Sequence, residues 1–317
     1  MSALGSFLAR RLLGLVLTLL AASFVVFGAT TLAPGDPIAV LTGGHAVDPE
    51  AMARLRDHYH LDDPFLTRYW YWLTDVLHGD FGQSIIAKQD VAGLITARLP
   101  TTLFLVAYAA LLILVAGITL GVVAALRKGP VDTTIMLATT AGMAVPSFLT
   151  GIVLIIVFAT GLGWFPVFGP GEGFGDQLWH LTLPAFALAL SSTATVARLT
   201  RAAVREEMGK EHVQTAVSRG IPRSLVVRRH VLRNAMVPIT TVAGLTIAGL
   251  VVGSLVIERA FSLNGVGAFL IESVTKSDYP VVQAIVLLLV AAFVVLNTLI
   301  DVLYTLADAR MAPGGGK

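Results

Sequence analysis

The chain has 317 residues, 56% of them hydrophobic and 13% charged, with a mean hydropathy of +0.80 and a formal net charge of +2. A soluble domain carries an apolar share of about 45–50%, so this composition excludes a water-soluble protein and points to a bilayer. The absence of cysteine excludes disulfides, thiolate metal sites and cysteine nucleophiles. The pI of about 9.0 reflects basic loops between apolar segments, and no nucleic-acid partner is expected.

About 20 helical residues cross a hydrocarbon core of about 30 Å. Six stretches meet that length without a central run of charge: 12–33, 100–126, 133–161, 181–203, 237–257 and 282–307. The expected fold is an all-α polytopic membrane protein of six transmembrane helices. The first stretch follows Arg10 and Arg11, yet its apolar core is longer than the 7–15 residues typical of a signal peptide, so it reads as a retained span. Six spans place both termini, 1–11 and 308–317, on one side. That side also takes most of the 22 Lys and Arg. The other side keeps Arg54, Arg56, Arg68, Lys88, Arg98, Arg259 and Lys276, most of them in one long loop that the positive-inside rule discounts. Both termini and the loop 204–236 are therefore expected in the cytoplasm of a plasma (inner) membrane protein.

After the first span, an extracytoplasmic segment over 34–99 is unusually long for a connector and is expected to have a job of its own. It opens on the rigid turn Pro34-Gly35-Asp36-Pro37 and carries amphipathic pieces near Asp48–His60 and Pro64–Leu77. The run Tyr69, Trp70, Tyr71 and Trp72 suits the headgroup level of a membrane, with a docking surface for an extracytoplasmic partner as the other reading. His58 and His60 do not share a helical face and lack a third ligand at metal-site spacing, so no metal site is expected. In the five-helix core, 100–307, Pro146 and Pro184 each remove a backbone donor and are expected to kink their helices. Gly117-x-x-x-Gly121 and Gly249-x-x-x-Gly253 permit close helix contact.

The segment 204–236 reads as two short helices broken at Gly220-Ile221-Pro222. Glycine takes the left-handed conformation that closes a helix, and proline suits the first turn of the next. Val213, Ala216 and Val217 give the first helix a narrow apolar face beside Lys210, Gln214 and Arg219. Val227, Val231 and Ala235 give the second a stripe beside Arg228, Arg229 and Arg233, whose stems reach anionic headgroups of membrane lipid. Near the ends of the later spans, Glu258 and Arg259 are expected at the outer interface, facing a re-entrant turn through Gly265 and Gly267. Asn297 and Asp301, four residues apart, are expected to share a face and hydrogen-bond. The alternative function, a stand-alone ion- or proton-coupled secondary transporter, needs acidic groups deeper in the bundle, and none is expected. Nor is there a constellation of nucleophile and base, so no catalytic residue is named.

The order Thr215-Ala216-x-x-x-Gly220, with Pro238 at the mouth of the next span, resembles the EAA loop of importer-type ABC permeases. Leu32-Ala33-Pro34-Gly35-Asp36-Pro37 looks like the B-type permease subunit of dipeptide and oligopeptide importers. Gly79-Asp80-Phe81-Gly82-Gln83-Ser84, Arg98-Leu99-Pro100-Thr101-Thr102-Leu103, Pro146-Ser147-Phe148, Leu183-Pro184-Ala185, Ile257-Glu258, Phe261-Ser262, Gly265-Val266-Gly267 and Asp278-Tyr279-Pro280 recur in that family in the same order. The resemblance runs from about Phe7 to Met311. Gln214, Thr215, Val217, Asn264 and Ala309 depart from its pattern.

The resemblance implies a permease subunit that forms half of a path for short peptides, with Val213, Gln214, Thr215, Ala216, Arg219 and Gly220 coupling it to an ATPase. It implies a homologous second permease, two ATP-binding subunits that hold ATP and Mg, and an extracytoplasmic peptide-binding protein. Asp36, Glu258, Gly265 and Gly267 become candidates for an outer gate or for docking that protein. The chain itself has no Gly-x-x-x-x-Gly-Lys-Ser/Thr phosphate loop, and it is expected to bind no cofactor.

Overall fold

The computed structural model describes residues 3–32, 48–58 and 62–307. The turn through Asp36, the pairing of His58 with His60, and Ala309 fall outside the described residues. Helix α1, Ala3–Thr31, turns Leu12, Leu17 and Val25 outward, as a lipid-facing helix does. Helices α2, Pro49–His58, and α3, Phe65–Leu77, follow it. The face of α3 formed by Phe65, Tyr69 and Trp72 lies on α1, with ring centroids 5.2 Å apart for Phe24–Tyr69 and 5.4 Å for Phe27–Trp72. The buried Ser23 hydroxyl shares a 2.8 Å hydrogen bond with the Tyr69 hydroxyl. Only Trp70 and Tyr71 of the aromatic run are turned away, 64% and 46% exposed. Tyr69 and Trp72 are half-buried against α1, because positions three and four apart on a helix share one face.

Helix α4, Val91–Leu126, begins nine residues before the sequence expectation. The Asp90 side chain caps it, accepting from Gly93 N at 2.7 Å, and Pro100 is carried inside the helix. The third span is two helices, α5, Pro130–Ala144, and α6, Ser147–Gly161, bent by 98°. Val145 stands extended at φ −98° and ψ 123°, the conformation forced on a residue before proline, and the break falls there. Pro184, by contrast, sits inside the unbroken helix α7, Gly173–Met208.

Helix α8, Glu211–Ser218, is short, and α9 runs without interruption over Arg223–Ala260. The expected second short helix of the loop is therefore the first turns of the fifth span. Helix α10, Val266–Thr275, precedes the last span, α11, Tyr279–Ala307. Among the described residues, five helices are long and apolar enough to cross a bilayer, six when the bent pair counts as one span.

Helix α7 is the hub, packing against α4, α5, α6 and α9. A Cβ on Gly121 would sit 2.5 Å from the Ala197 carbonyl oxygen and 2.5 Å from Thr200 Cβ, and one on Gly117 would meet Val196 at 2.9 Å. The first small-residue motif thus brings α4 against α7 backbone to backbone. The second motif makes no such backbone contact: a Cβ on Gly253 would meet only the Leu188 side chain, at 3.2 Å, and Gly249 faces open space.

Three cores result. A central one holds Leu105, Ile113, Leu188, Ile257 and Phe261. One end is closed by Val91, Ile95, Val266, Phe269 and Ile285, and the opposite end by Ala125, Val204, Val213, Val231 and Ile239.

Candidate functional site

Helix α8 ends in a Schellman closure. Gly220 stands at φ +73°, Ile221 N–H donates to the Ala216 carbonyl at 3.2 Å, and Gly220 N–H donates to that of Val217 at 2.9 Å. Pro222, extended at φ −52° and ψ 135°, then starts α9. Val213 and Ala216 are 5% and 4% exposed, packed on Val204, Val226 and Val231 of the same chain. In this chain these two side chains are turned inward, so the apolar stripe anchors α8 to its own bundle. Gln214, Thr215, Val217, Arg219 and Gly220 remain on the exposed side.

A polar knot fixes the entry to α8. The Glu207 carboxylate, 5% exposed, lies 2.6 Å from Lys210 Nζ and 3.1 Å from His212 Nε2, and it accepts from Asn234 Nδ2 at 2.9 Å. It ties the end of α7, the start of α8 and the base of α9 together. Beside it, Asp132 on α5 accepts two bonds from Arg201, at 2.5 and 2.8 Å, and one from Arg205 at 2.7 Å. A fork-to-fork pair of this kind fixes direction as well as distance, so α5 is locked to α7 next to the α8 anchor. Neither carboxylate was singled out from the sequence. A signal existed for one: Asp132 is the sole acidic residue between Asp90 and Glu172.

At the far end of α9, Glu258 has no exposed surface. Thr102 Oγ1 donates to its Oε1 at 2.8 Å, and Gly267 N and Ala268 N donate to its Oε2 at 2.7 and 3.0 Å. Thr102 Oγ1 also accepts from Val266 N at 2.9 Å. The carboxylate therefore caps the first turn of α10 from within, satisfying N–H groups that the helix cannot. A Cβ on Gly265 would collide with Oε2 of the enclosed Glu258 carboxylate, so glycine suits this turn.

Glu258 faces the turn through Gly265 and Gly267 as expected, two residues from the end of α9, but it is enclosed by protein rather than exposed. Gly265 and Gly267 are also buried, and Gly265 backs a surface cleft lined by Arg98 and Arg259. Similarly, Asp278, 2% exposed, accepts from Ser84 Oγ at 2.5 Å and Ile85 N at 3.0 Å. The dispersed motifs thus meet in pairs across the fold. Asn297 donates to Phe293 O in its own helix at 2.9 Å, and its expected partner, the Asp301 side chain, lies outside the described residues.

Residues 117–313 match the family described as binding-protein-dependent transport system inner membrane component, and residues 4–106 match the N-terminal region of that membrane component. The chain belongs to this family. The permease is 35% identical over 300 residues to the glutathione transport system permease protein GsiC of Escherichia coli strain K12, covering 94% of this chain and 96% of that one. Identity to GsiC of Salmonella typhimurium strain LT2 is 35% over 301 residues, with the same coverage. Its fold is shared with the MetNI methionine ABC transporter in inward-facing conformations, at a TM-score of 0.55, 17% identity and coverage of 68% of this chain and 96% of that one. An amino acid ABC transporter crystallised with histidines gives a TM-score of 0.55 at 17% identity, covering 67% and 93%.

The motif resemblance and the all-helical permease architecture are both borne out. The protein is a multi-pass inner-membrane permease subunit of an ABC importer and not an enzyme.

Proposed function

We propose that this permease forms half of an ATP-driven path for short peptides or peptide-like solutes, with α8 as the helix through which ATPase subunits drive it. The supporting observation is the seating of α8: its apolar side is anchored in the chain's own core while Gln214, Thr215, Val217 and Arg219 stay exposed. A helix held that firmly transmits a push to α7 and α9 rather than yielding to it. Both termini and α8 lie in the cytoplasm on this reading, as the positive-inside rule requires.

The working complex pairs the chain with a homologous second permease, two ATP-binding subunits carrying ATP and Mg, and an extracytoplasmic binding protein that delivers solute. The glutathione relatives favour a peptide-like cargo. Alternating access from about 1:99 to 99:1 requires about 5.5 kcal/mol of differential binding, a demand suited to two nucleotides closing two subunits. Affinity purification of the tagged chain tests the reading. Two ATPases and a second permease should co-elute, and uptake should require ATP; a transport-competent homo-oligomer refutes it.

A further inference from the structure

At the end of the bundle opposite α8, an open cleft of ≈ 220 Å³ is lined by Arg98, Arg259, Ser262, Asn264, Phe269 and Glu272, among others. Its distance from α8 follows from α9, whose 38 residues span about 57 Å at 1.5 Å each. Charge in the cleft is unbalanced. Arg98, Arg259 and Lys276 face one surface carboxylate, Glu272, and Lys276 Nζ already engages it at 2.6 Å. Glu258 lies beneath the cleft floor, its oxygens turned to Thr102, Gly267 and Ala268.

The Arg98 guanidinium is held 4.0 Å over the Phe269 ring and donates once to the Leu94 carbonyl at 2.8 Å, which leaves other N–H groups of its fork available. Arg259 is exposed and makes no ion pair among the described residues. Ser262 and Asn264, on the turn between, are exposed neutral donors, and Ser262 is held at φ +49°. Two guanidinium groups and two neutral donors lining one cleft offer the hydrogen-bond donors that a carboxylate accepts. The volume is below the roughly 300–1,000 Å³ of sites that engulf a drug-sized molecule, so it suits a single side chain rather than a whole peptide.

We infer that this cleft receives an acidic side chain of the extracytoplasmic binding protein, with Arg98 and Arg259 as the paired anchors. The inference rests on the proposed import function, and it places the docking contact on half-buried Arg98 and exposed Arg259 of a cleft that Gly265 also lines. Charge complementarity there would steer the encounter of the two proteins and fix its register.

Two measurements test it. The chain has no cysteine, so Asn264→Cys supplies a unique thiol. On intact cells its reaction with membrane-impermeant anionic sulfonatoethyl methanethiosulfonate should outpace that with the cationic trimethylammonium reagent. Adding Arg98→Gln and Arg259→Gln should lower that ratio about fivefold; an unchanged ratio overturns the anion site whatever the protein transports. In the second, the purified complex is titrated with the solute-binding protein that stimulates its ATP hydrolysis. The concentration for half-maximal stimulation should rise about tenfold in Arg98→Gln/Arg259→Glu, with basal hydrolysis unchanged and a weaker dependence on salt.

An unchanged titration, with the wild-type complex stimulated normally, overturns the docking role alone. Failure of any binding protein to stimulate an assembled wild-type complex overturns the import reading instead. A change confined to the solute requirement at saturating binding protein assigns the carboxylate to the solute and overturns the proposal.

Discussion

At the scale of single residues, the functional ends of this permease are organised by buried carboxylates. Glu258 gathers three donors from α4 and α10, and Asp278 gathers the turn at Ser84 in the same way. Replacing Glu258 by Ala strands the Gly267 and Ala268 N–H groups and the Thr102 hydroxyl, at about 1–3 kcal/mol for each group left unsatisfied. The expected outcome is a lowered thermal midpoint of the detergent-solubilised complex and loss of the Val266–Thr275 helix, with Glu258→Gln intermediate because it retains one acceptor oxygen. A midpoint equal to wild type in Glu258→Ala would contradict the capping role.

Glu272 behaves differently because it is half exposed. Its hydrogen bond to Lys276 holds the carboxyl below the ordinary value of 4.5. A lowered value means the pair contributes fully above pH 4.5 and is lost only as pH falls through the lowered pKa. The Glu272→Gln protein should therefore match the wild type in its stability profile between pH 6 and 8 in shape, diverging only in acid. A slope difference between the two near neutrality would contradict this assignment.

At the scale of elements, Gly220 is the position where backbone conformation and mechanism coincide. Valine at φ +73° would face a left-handed penalty of about 1–2 kcal/mol, enough to displace α8 from its closure but not to unfold spans buried elsewhere. Gly220→Val should assemble with its partners yet lose most ATP-driven uptake, measured by co-elution and by labelled-peptide transport; normal uptake would remove α8 from the coupling role. This closure was legible in the sequence because every residue that makes it lies within six positions. The spans were legible for a related reason, since apolar transfer energy adds along a local stretch.

The rest depended on contacts far apart in the chain. Glu258 meets Thr102 across 156 positions and Asp132 meets Arg201 across 69, and no local pattern encodes either. The apolar stripe of α8 was visible, but a stripe reports that a face is covered without saying by what. Here the cover is Val204, Val226 and Val231 of the same chain. The break before Pro146 was foreseeable as a kink, while its 98° bend was not. The conformation forced on Val145 interrupts the helix, but tertiary packing chooses the angle between the two halves.

At the scale of the whole molecule, the three cores divide labour along the membrane normal. The α8 end is tied by Glu207 and Asp132, the opposite end by Glu258 and Asp278, and α7 and α9, 36 and 38 residues long, join the two. Helices of that length exceed the about 20 residues a bilayer needs, which leaves helical length beyond a hydrocarbon core at the ends. A displacement of α8 therefore reaches the opposite mouth through continuous helix rather than through loops.

The chain carries no Gly-x-x-x-x-Gly-Lys-Ser/Thr loop, and on the proposed reading its work is supplied by partner ATPases. A conformational equilibrium shifts only by the differential affinity of what binds its two states. Reconstituted alone into sealed vesicles with an imposed proton or sodium gradient, the permease should accumulate no labelled glutathione or dipeptide above the external concentration. Addition of the ATPases, the second permease and the binding protein should start ATP-dependent accumulation. Uphill transport by the lone chain under an ion gradient would instead establish it as a secondary carrier and make the exposed face of α8 irrelevant to energy supply.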